Sequence, residues 1–403
     1  MLVQPRSGLT WRSSPGVPTG SEGLEAGPGS PKRAGVVKSR LSVASELEQF
    51  ARAIFEAMGA TSATAAEVAA HLVRANLSGH DSHGIQRVTQ YAAQVERGDL
   101  VPSAKPVVAH ESEAVALIDA HRSFGQSSTN LAVTWAMHRA RRHGVSAAAI
   151  RHSAHVGRLG HYTEQAAQAG LVAILTVGAA GHGVGGVVPF GARQRFLATN
   201  PWSIGIPSSG SEPVVFDAST STIAEGKVRV AQSKGAALPS GSLVDSEGKP
   251  STDPNDYYAG GGLTPLGGDV AGHKGYGLAL MSALIGSLAM IDDSDPSLIG
   301  AWTIAPDADP VGRVAGVLVV IIDPAFFGPV GGYLSLVTQN MAAIKRLTPA
   351  PGVVEVLVPG ELEAKTRERR LREGIAIPEA TIRELTELAK QYGVPLPPTW
   401  YAG

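Results

Sequence analysis

The sequence feature that most constrains the fold is an alternation of short apolar runs with helical patterns between residues 114 and 180. Each apolar run is rich in alanine, valine and isoleucine, which is typical of a buried strand. The segments between them repeat apolar residues three or four positions apart, which is typical of a helix. In chain order the segments are AVALIDA, NLAVTWAMHRARRHG, VSAAAIR, GHYTEQAAQAGL and VAILTVG. This alternation predicts an α/β fold.

Further elements are predicted on either side of this region. SVASELEQFARAIFEAMGA and TSATAAEVAAHLVRANLSGHD each carry an apolar helical face, and the second helix runs out at Gly79. RVAGVLVVIID predicts one more buried strand, and PEATIRELTELAKQYGV predicts a C-terminal surface helix. GYGLALMSALIGSLAMI falls short of a membrane span and contains glycines and serines, so it predicts a buried core helix. Gly and Pro turns predict a loop-rich middle over residues 187–277.

Composition bounds the classes of partner and compartment. The formal net charge of -1 gives no electrostatic reason to expect nucleic acid or a membrane surface as a partner. The chain has no cysteine, so a disulfide framework, a thiolate zinc site and a cysteine nucleophile are excluded, and a cytoplasmic location is expected. Residues 1–40 are rich in Gly, Pro, Ser and Arg without apolar periodicity, and predict a disordered tail before a catalytic region at 41–403.

A glycine-rich stretch raises the question of a Rossmann fold. Gly181, Gly183 and Gly186 have the G-x-G-x-x-G spacing directly after a predicted strand. A dinucleotide fingerprint must open a helix, so that the pyrophosphate meets the helix N-terminus. Here VVPFG follows, and Pro189 with its β-branched neighbours does not begin a helix. The stretch therefore predicts a glycine loop and not a Rossmann turn.

The decapeptide SGHDSHGIQR, residues 78–87, holds the strongest candidate for chemistry. It begins where one helix ends and leads into another, GIQRVTQYAAQVERG. His83 and Arg87 are four residues apart, which would place a proton-exchanging imidazole and a carboxylate-binding guanidinium on one helix face. A surface pair remains the alternative. A metal site built with other loop histidines is a second alternative, but no H-E-x-x-H pair or acidic cluster supports it, so no metal is expected. The loop histidines are His80, His83, His152, His155 and His161.

Seven motifs, in order from about Leu41 to Val394, resemble the malate/L-lactate dehydrogenase family. That family includes ureidoglycolate and sulfolactate dehydrogenases and piperideine/pyrroline-2-carboxylate reductases. The motifs are GHDSHGIQRVTQYAAQVERG, SAHVGRLGHYTEQAAQAGL, VVPFGARQRFLATNP, FDASTSTIAEGKV, LPSGSLVDSEGKPSTDP, LTPLGGDVAGHKGYGLAL and VLVPGE. The resemblance implies a non-Rossmann α/β fold with a large part and a smaller inserted lobe, a homodimer, and an extended NAD or NADP.

The resemblance also implies roles for particular residues. The family's Ser-His pair falls on Ser82 and His83, and its substrate-binding arginine falls on Arg87. His155, in the S-x-H-x-G motif, is the proton acceptor in some members and a cofactor contact in others, so both histidines stay candidates. Asp217 either orients the Ser-His pair or lines the cofactor. Thr199 and Asn200 are implied as substrate contacts. The other implied cofactor contacts are Val156, Gly157, Arg158, Ala179, Ala218, Ser219, Lys274, Gly275, Gly360 and Glu361.

The activity that follows is hydride transfer between a nicotinamide and C2 of a small 2-hydroxy or 2-oxo acid. Reduction of a cyclic 2-imino acid is the alternative within enzymes, and a non-catalytic nucleotide-binding or scaffold protein is the alternative outside them. NAD is weakly favoured over NADP because Leu362, Glu363 and Ala364 follow the PGE motif. Basic residues slightly further on, Lys365, Arg367 and Arg369, leave NADP open.

Overall fold

A computed structural model describes residues 39–182, 184–210, 212–291 and 314–401. Its strands are β1 (Ser39–Ser42), β2 (Val107–Glu111), β3 (Val115–Asp119), β4 (Val145–Arg151), β5 (Val172–Ala180), β6 (Trp202–Ile206), β7 (Val214–Ala218), β8 (Leu243–Val244), β9 (Pro250–Ser251), β10 (Gly262–Leu263), β11 (Val314–Ile322) and β12 (Ile375–Pro378). Its helices are α1 (Ala44–Ala57), α2 (Ser62–Leu77), α3 (Arg87–Glu96), α4 (Gly125–His143), α5 (Gly160–Gln168), α6 (Glu225–Lys234), α7 (Pro254–Tyr258), α8 (Gly268–Gly286), α9 (Val330–Lys345), α10 (Glu361–Glu373), α11 (Glu379–Tyr392) and α12 (Pro398–Tyr401).

The main sheet has the strand order β2-β3-β4-β11-β5-β6-β7. β3 and β4 run parallel, and every other neighbouring pair in this sheet is antiparallel. β11 lies between β4 and β5, so that Val319 is opposite both Ala148 and Leu175. A Rossmann sheet is mostly parallel. The predicted non-Rossmann α/β fold is therefore confirmed. Of the glycine stretch, Gly183 lies outside the described residues, and no helix begins directly after the stretch among the residues that are described.

Helices cover the two faces of the sheet by different kinds of packing. On one face, α4 and α5 bury an apolar cluster with β3, β4, β5 and β11 that includes Ala136, Ile150 and Leu175. On the other face, α8 packs against the backbone of β5 and β11, because the strands carry glycine there. A Cβ on Gly178 would lie 1.9 Å from Ser282 O. Only glycine allows an approach this close.

The prediction of a buried core helix at Gly275–Ile291 is wrong in the single chain. α8 buries its small residues, such as Ala279 and Ala283. Its large apolar side chains face outward, with Leu278 48%, Met281 45% and Leu284 49% exposed, and Leu288 in the 3-10 turn that follows is 50% exposed. The composition of the segment is apolar all round, and sequence periodicity therefore could not distinguish the packed face from the open one.

A helical layer joins the two ends of the described chain. α1, α2, α3, α11 and α12 share one apolar cluster, in which the Phe50 and Trp400 rings lie 5.2 Å apart. β1 pairs antiparallel with β12, from Ser39 opposite Pro378 to Ser42 opposite Ile375. The predicted disordered tail at 1–40 lies outside the described residues up to residue 38, but Ser39 and Arg40 already belong to β1. Two residues of the predicted tail, Ser39 and Arg40, therefore belong to a strand, and the prediction is wrong for them.

The middle of the chain is more regular than predicted. The β6–β7 hairpin and a small sheet of order β10-β8-β9 occupy the segment that was predicted to be rich in loops. α6 and α7 pack on this small sheet around Val228, Leu243 and Tyr257. Strands of two to five residues carry too little periodicity to be read from a sequence. No helix in the described part of the chain is both long and apolar enough to cross a membrane.

Candidate active site

The loop that carries Ser82 and His83 is shaped by the end of α2. Gly79, with φ +86°, follows the last turn, and the N–H groups of Gly79 and His80 return to the carbonyls of Asn76 and Ala75. This is the hydrogen-bonding pattern of a Schellman motif, for which glycine is preferred at the left-handed position. The buried Asn76 amide then holds both ends of the loop, since it donates to Asp81 Oδ1 at 2.7 Å and accepts from the backbone N–H of Ile85 at 2.7 Å.

Ser82, His83 and Arg87 are brought together, although not on one helix. His83 lies in a single 3-10 turn, Asp81–His83, and Arg87 is the first residue of α3. The prediction that both stand on the same helix face is therefore wrong. The guanidinium still reaches back, because Arg87 Nε donates to Ser82 O at 2.6 Å, while a second nitrogen donates to Gln90 Oε1. The start of α6 lies opposite, and a Cβ on Gly226 would be 3.4 Å from Ser82 Cβ.

His155 comes from the loop between β4 and α5, seventy-two positions further along the chain. Gly157 in this loop has φ +78°, and a Cβ there would lie 2.2 Å from His71 Nε2. The same His71 Nε2 accepts the backbone N–H of Arg158 at 3.0 Å. The buried His71 side chain on α2 thus fixes the path of the loop, and glycine at 157 is required for both conformational and steric reasons.

The two candidate histidines form a hydrogen-bonded pair. His83 Nδ1 and His155 Nε2 are 3.2 Å apart, and the two rings are nearly parallel at 4° with centroids 5.2 Å apart. His155 Nδ1 lies 2.8 Å from the hydroxyl of Tyr91 on α3. Both ring nitrogens of His155 therefore have partners. His83 Nε2 makes no hydrogen bond within the described residues, and the His83 ring is only half-buried.

The electrostatic surroundings keep this pair neutral. Burial, followed by the charge of Arg87, lowers the pKa of His83 to about 3, even though the residue is only half-buried. Burial and Arg87 also hold the pKa of His155 well below its usual range. A neutral imidazole can donate at one nitrogen and accept at the other. The site therefore offers one accessible, neutral ring nitrogen beside a cation.

Asp217, at the end of β7, is not hydrogen-bonded to the histidine pair. Its Oδ2 accepts the backbone N–H of Gly160 at 2.7 Å and lies 3.5 Å from Arg158 Nε. Burial raises the pKa of the Asp217 carboxyl, and the charge of Arg158 opposes this effect. Arg158 itself is buried and turned inward, with Ser78 Oγ at 3.2 Å and Glu164 Oε2 at 3.7 Å. Both side chains therefore hold the loops around the site together.

The predicted substrate residues Thr199 and Asn200 lie at the turn into β6. Asn200 has φ +37° and is 1% exposed. Its amide accepts from Ala179 N at 2.9 Å and donates to Ala179 O at 3.2 Å and Ala279 O at 2.8 Å. Thr199 O accepts the backbone N–H of Thr220. In this arrangement Asn200 joins β5 to α8, and its direct contact with a substrate stays a prediction.

The remaining predicted cofactor residues line the neighbouring strand and helix ends. Val156 is buried, and its carbonyl accepts from Tyr162 Oη at 2.7 Å. Ala218 and Ser219 are half-buried at the end of β7. Lys274 is exposed on α8, while a Cβ on the adjacent Gly275 would lie 2.2 Å from Leu266 O. The structure ties none of these side chains to the histidine pair by a hydrogen bond within the described residues.

Gly360 and Glu361 begin α10, next to the edge strand β7. Gly360 has φ +90°, and the backbone N–H of Val215 donates to Pro359 O at 3.2 Å. Glu361 bonds the N–H of Val358 and pairs with two lysines, Lys345 and Lys365. These contacts hold the pKa of Glu361 at about 2, against the opposing effect of burial.

α10 is fastened to the loop of Ser82 and His83. Arg370 pairs with Asp81 through two nitrogens, at 2.6 and 3.0 Å. His80 Nε2 lies 3.2 Å from Glu363 Oε1. His80 and Asp81 are therefore attachment points of the loop.

The loop histidines of the metal alternative go to separate partners. His83 pairs with His155, whereas His80 contacts Glu363 and His152 contacts Asp119 at 3.0 Å. His161 lies against His71 instead, with ring centroids 4.5 Å apart. In the described ranges, no group of three or more His, Asp or Glu side chains is arranged to hold a metal ion.

Sequence reasoning missed Tyr91, Gln126, His71 and Glu164. Tyr91 belongs to the apolar face of α3, and its periodicity indicates a core residue, as its burial shows. Its hydroxyl matters only because α4 and the loop after β4 approach it, which no local pattern encodes. A signal for Glu164 existed, since a carboxylate in the first turns of a helix with apolar neighbours requires buried partners.

Several comparisons with known proteins agree with this geometry. The malate/L-lactate dehydrogenase family model matches residues 43–386. Hydroxycarboxylate dehydrogenase B of Escherichia coli (strain K12) is 34% identical over 354 residues, which cover 87% of this chain and 94% of that protein. The Delta(1)-pyrroline-2-carboxylate/Delta(1)-piperideine-2-carboxylate reductase of Pseudomonas syringae pv. tomato is 33% identical over 344 residues, 85% of this chain and 95% of that protein. The crystal structure of malate dehydrogenase from Entamoeba histolytica matches with a TM-score of 0.80 and 26% identity over 89% of this chain and 100% of that one. This chain therefore belongs to the malate/L-lactate dehydrogenase family of oxidoreductases and has the α/β fold of that family.

Proposed function

We propose that this protein is an NAD(P)-dependent oxidoreductase that exchanges a hydride with C2 of a small 2-hydroxy or 2-oxo acid. The observation that carries the proposal is the placement of His83 Nε2, which is accessible and without a partner in the described residues, beside the Arg87 guanidinium. A 2-oxo acid needs a cation for its carboxylate and a proton-exchanging group at the adjacent oxygen. These two groups stand next to each other in the loop of residues 82–87.

Each residue then has a distinct part in the reaction. Arg87 binds the substrate carboxylate, and His83 Nε2 exchanges a proton with the substrate oxygen. In reduction, C2 takes the hydride and the carbonyl oxygen takes a proton from His83, which must be an imidazolium for this step and is left as the neutral imidazole. Proton uptake from solvent, once a substrate carboxylate is bound, restores the imidazolium. His155 cannot exchange that proton in this geometry, because its two ring nitrogens are bonded to His83 and Tyr91. We therefore assign the proton to His83 and a supporting role to His155.

Substrate binding itself tunes the acid. The charge of Arg87 lowers the pKa of His83 in the free chain. A bound carboxylate would offset that charge, which would shift the pKa of His83 back toward the neutral range. Proton exchange is thereby favoured when the carboxylate is in place, and the free site stays neutral.

The residues around the site fit a nicotinamide dinucleotide. A neutral imidazole pair suits a reaction in which the substrate exchanges a hydride and a proton with different groups. The exposed Lys274 and the amino end of α10 at Gly360 suit an anionic cofactor. When bound, the nicotinamide would supply or accept the hydride. Of the predicted contacts, those that are exposed or half-buried would border it, namely Ala218, Ser219, Lys274, Gly360 and Glu361, whereas Ala179 and Arg158 are buried.

NAD is favoured over NADP by the pairing of the nearby cations. Recognition of a 2′-phosphate requires a free Lys or Arg. Lys365 pairs with Glu361 at 3.0 Å and also with Glu355, and Arg367 pairs with the buried Glu164 at 2.8 Å. Arg369, which is exposed, is the remaining candidate of the three. Two of the three cations that could accept a phosphate are thus already neutralised by carboxylates.

A homodimer in the cytoplasm completes the proposal. Leu278, Met281 and Leu284 on α8, and Leu288 in the 3-10 turn that follows, form an outward row of half-exposed apolar side chains, and such contiguous apolar surface is typical of an interaction site. Leu284→Glu is expected to lower the molar mass measured by light scattering from dimer to monomer. Leu371→Glu, at an exposed leucine on α10, is the control and should leave the molar mass unchanged. The absence of cysteine agrees with a reducing compartment.

The proposal is tested with pyruvate, oxaloacetate and Δ1-pyrroline-2-carboxylate, each with NADH and with NADPH. Wild-type turnover of a 2-oxo acid that is lost in His83→Gln supports it, while His138→Gln, at an exposed histidine on α4, should retain activity. Full activity of His83→Gln on every substrate would refute it. Turnover of the imino acid alone would favour the reductase activity named for the Pseudomonas syringae relative. Binding of NADH without any turnover would favour a non-catalytic protein.

A further inference from the structure

A buried hydrogen-bonded chain runs from α4 to the candidate active site. Gln126 Nε2 donates to Tyr91 Oη at 2.7 Å, and Tyr91 Oη lies 2.8 Å from His155 Nδ1. His155 Nε2 then lies 3.2 Å from His83 Nδ1. The Tyr91 and Gln126 side chains are fully buried, with 0% of each residue exposed. Neither residue has a part in binding or proton exchange at the site described above.

The direction of this chain of hydrogen bonds follows from its first member. Because the N–H of Gln126 already donates to Tyr91 Oη, the tyrosine's own hydrogen is directed to His155 Nδ1. Neutral His155 then carries its single ring proton on Nε2 and donates it to His83 Nδ1. Neutral His83 must in turn carry its proton on Nε2, which is the nitrogen that faces the substrate.

The observed orientation of the Gln126 side-chain amide has a lower free energy than the flipped orientation. Its Oε1 is buried without a hydrogen-bond partner in the part of the chain that the structure describes. The reversed amide would accept the Tyr91 hydroxyl at its oxygen, but would then bury an unpaired NH2 group. An unpaired buried N–H is less well tolerated than an under-satisfied carbonyl. The observed direction of the hydrogen bonds, from Gln126 through Tyr91 and His155 to His83, is therefore favoured over the reverse direction.

We propose that Tyr91 and Gln126 are positioning residues that select the tautomers of His155 and His83, so that His83 presents an N–H to the carbonyl oxygen of a bound 2-oxo acid. The inference rests on the proposed function for the identity of that oxygen. It concerns a hydrogen bond that polarises the carbonyl, and it moves no atom by itself. The selection of the tautomers is a property of the free protein.

The first test therefore measures tautomers in the full chain without substrate. Solid-state NMR of protein labelled with 15N at histidine distinguishes a protonated from an unprotonated ring nitrogen, and His155→Asn identifies the His155 signals by their loss. The wild type is expected to be protonated at His155 Nε2 alone. Tyr91→Phe should produce a mixture of the two tautomers. A wild-type His155 protonated at Nδ1, or a Tyr91→Phe spectrum identical to wild type, would overturn the inference.

A matched variant separates the tautomer effect from the loss of a buried hydroxyl. Tyr162 is also fully buried, and its Oη donates to Val156 O at 2.7 Å in the same loop as His155, without touching the histidine pair. Tyr162→Phe should leave the His155 tautomer unchanged. If Tyr91→Phe does not fold, Gln126→Leu keeps the tyrosine but removes the N–H that directs it, and it should also give a mixture. A single unchanged tautomer in Gln126→Leu would then overturn the inference.

Kinetics supply the second readout. Loss of this one directing hydrogen bond should lower kcat of Tyr91→Phe by about 3- to 10-fold, with KM unchanged because Arg87 is intact. Tyr162→Phe should keep both constants. A rise in KM with kcat unchanged would contradict a role in selecting the tautomer. If the wild type turns over no substrate, the proposed function fails, while the NMR result still decides the inference.

Discussion

Replacing Glu164 by glutamine would remove the counterion of three arginines from the interior. The Glu164 side chain is 3% exposed and lies 2.8 Å from Arg367, 3.4 Å from Arg74 and 3.7 Å from Arg158. Arg158, at 2% exposure, is the most deeply buried of the three, and its other carboxylate, Asp217, is 3.5 Å away. The variant thus leaves a buried guanidinium short of negative charge without changing the volume of the side chain.

The expected cost lies near the lower end of the range for breaking a buried ion pair. Removing one partner of such a pair costs about 3–5 kcal/mol. Glutamine still accepts a hydrogen bond from Arg367, and Asp217 still faces Arg158, so we expect about 3 kcal/mol. With an unfolding entropy of about 2.1 cal/mol/K per residue over 403 residues, this corresponds to a Tm lower by about 4 °C. Differential scanning calorimetry at one fixed protein concentration measures it, because assembly would otherwise shift Tm.

The control for Glu164→Gln is a carboxylate in an exposed pair. Glu387 pairs with Lys390 at 2.7 Å, but both side chains are about seven-tenths exposed. Glu387→Gln should leave Tm unchanged within error, since exposed pairs contribute little. A Glu164→Gln protein with the Tm of the Glu387→Gln protein would refute the view that the buried carboxylate compensates these arginines.

Three further predictions follow from the same structure. Arg87→Lys replaces a planar guanidinium that can bind a carboxylate through two nitrogens, and should lower kcat/KM for 2-oxo acids by about 10- to 100-fold; an unchanged value would exclude Arg87 as the clamp. Gly157→Ala should destabilise the fold more than Gly98→Ala, because both have left-handed φ but only residue 157 meets His71; equal melting temperatures would contradict the steric argument. Burial holds the pKa of His161 at about 3 against 6.5 for an ordinary histidine, so the unfolded chain binds more protons below about pH 6.5. The contribution of His161 to the free energy of unfolding should therefore be fully present above that pH and fall in acid by up to about 1.4 kcal/mol per pH unit. If urea titrations show the same decrease of the unfolding free energy in acid for His161→Gln as for the wild type, this prediction is contradicted.

The elements that could be predicted from sequence are those whose periodicity is local. β3, β4, β5 and β11 and the helices between them have the expected positions, because strands and helices impose different repeats on their apolar residues. The order of these strands could not be predicted, since β11 enters between β4 and β5 from more than a hundred residues away. The outward-facing side of α8 could not be predicted for a different reason. Its amino acids are apolar on all sides, so composition carries no direction.

The site shows the same division between local and distant information. Ser82, His83 and Arg87 stand close together in the sequence, and the structure brings them together through the helix end at Gly79. The pairing of His83 with His155 depends on two loops that meet in space. The direction in which Arg158 points could not be read from its motif, because its burial against Glu164 and Asp217 is a property of packing.

The fastening of α10 to the Ser82–His83 loop has a consequence for the order in which the molecule is made. The 3-10 turn Asp81–His83 buries none of its own residues, and one of its outside contacts is the ion pair of Asp81 with Arg370, 289 positions later. During synthesis, His83 therefore leaves the ribosome long before the helix that holds its loop in place. A ribosome-bound chain that stops short of α10 would contain every residue proposed to touch the substrate and yet lack a rigid site, so activity would appear only when the C-terminal helices have docked.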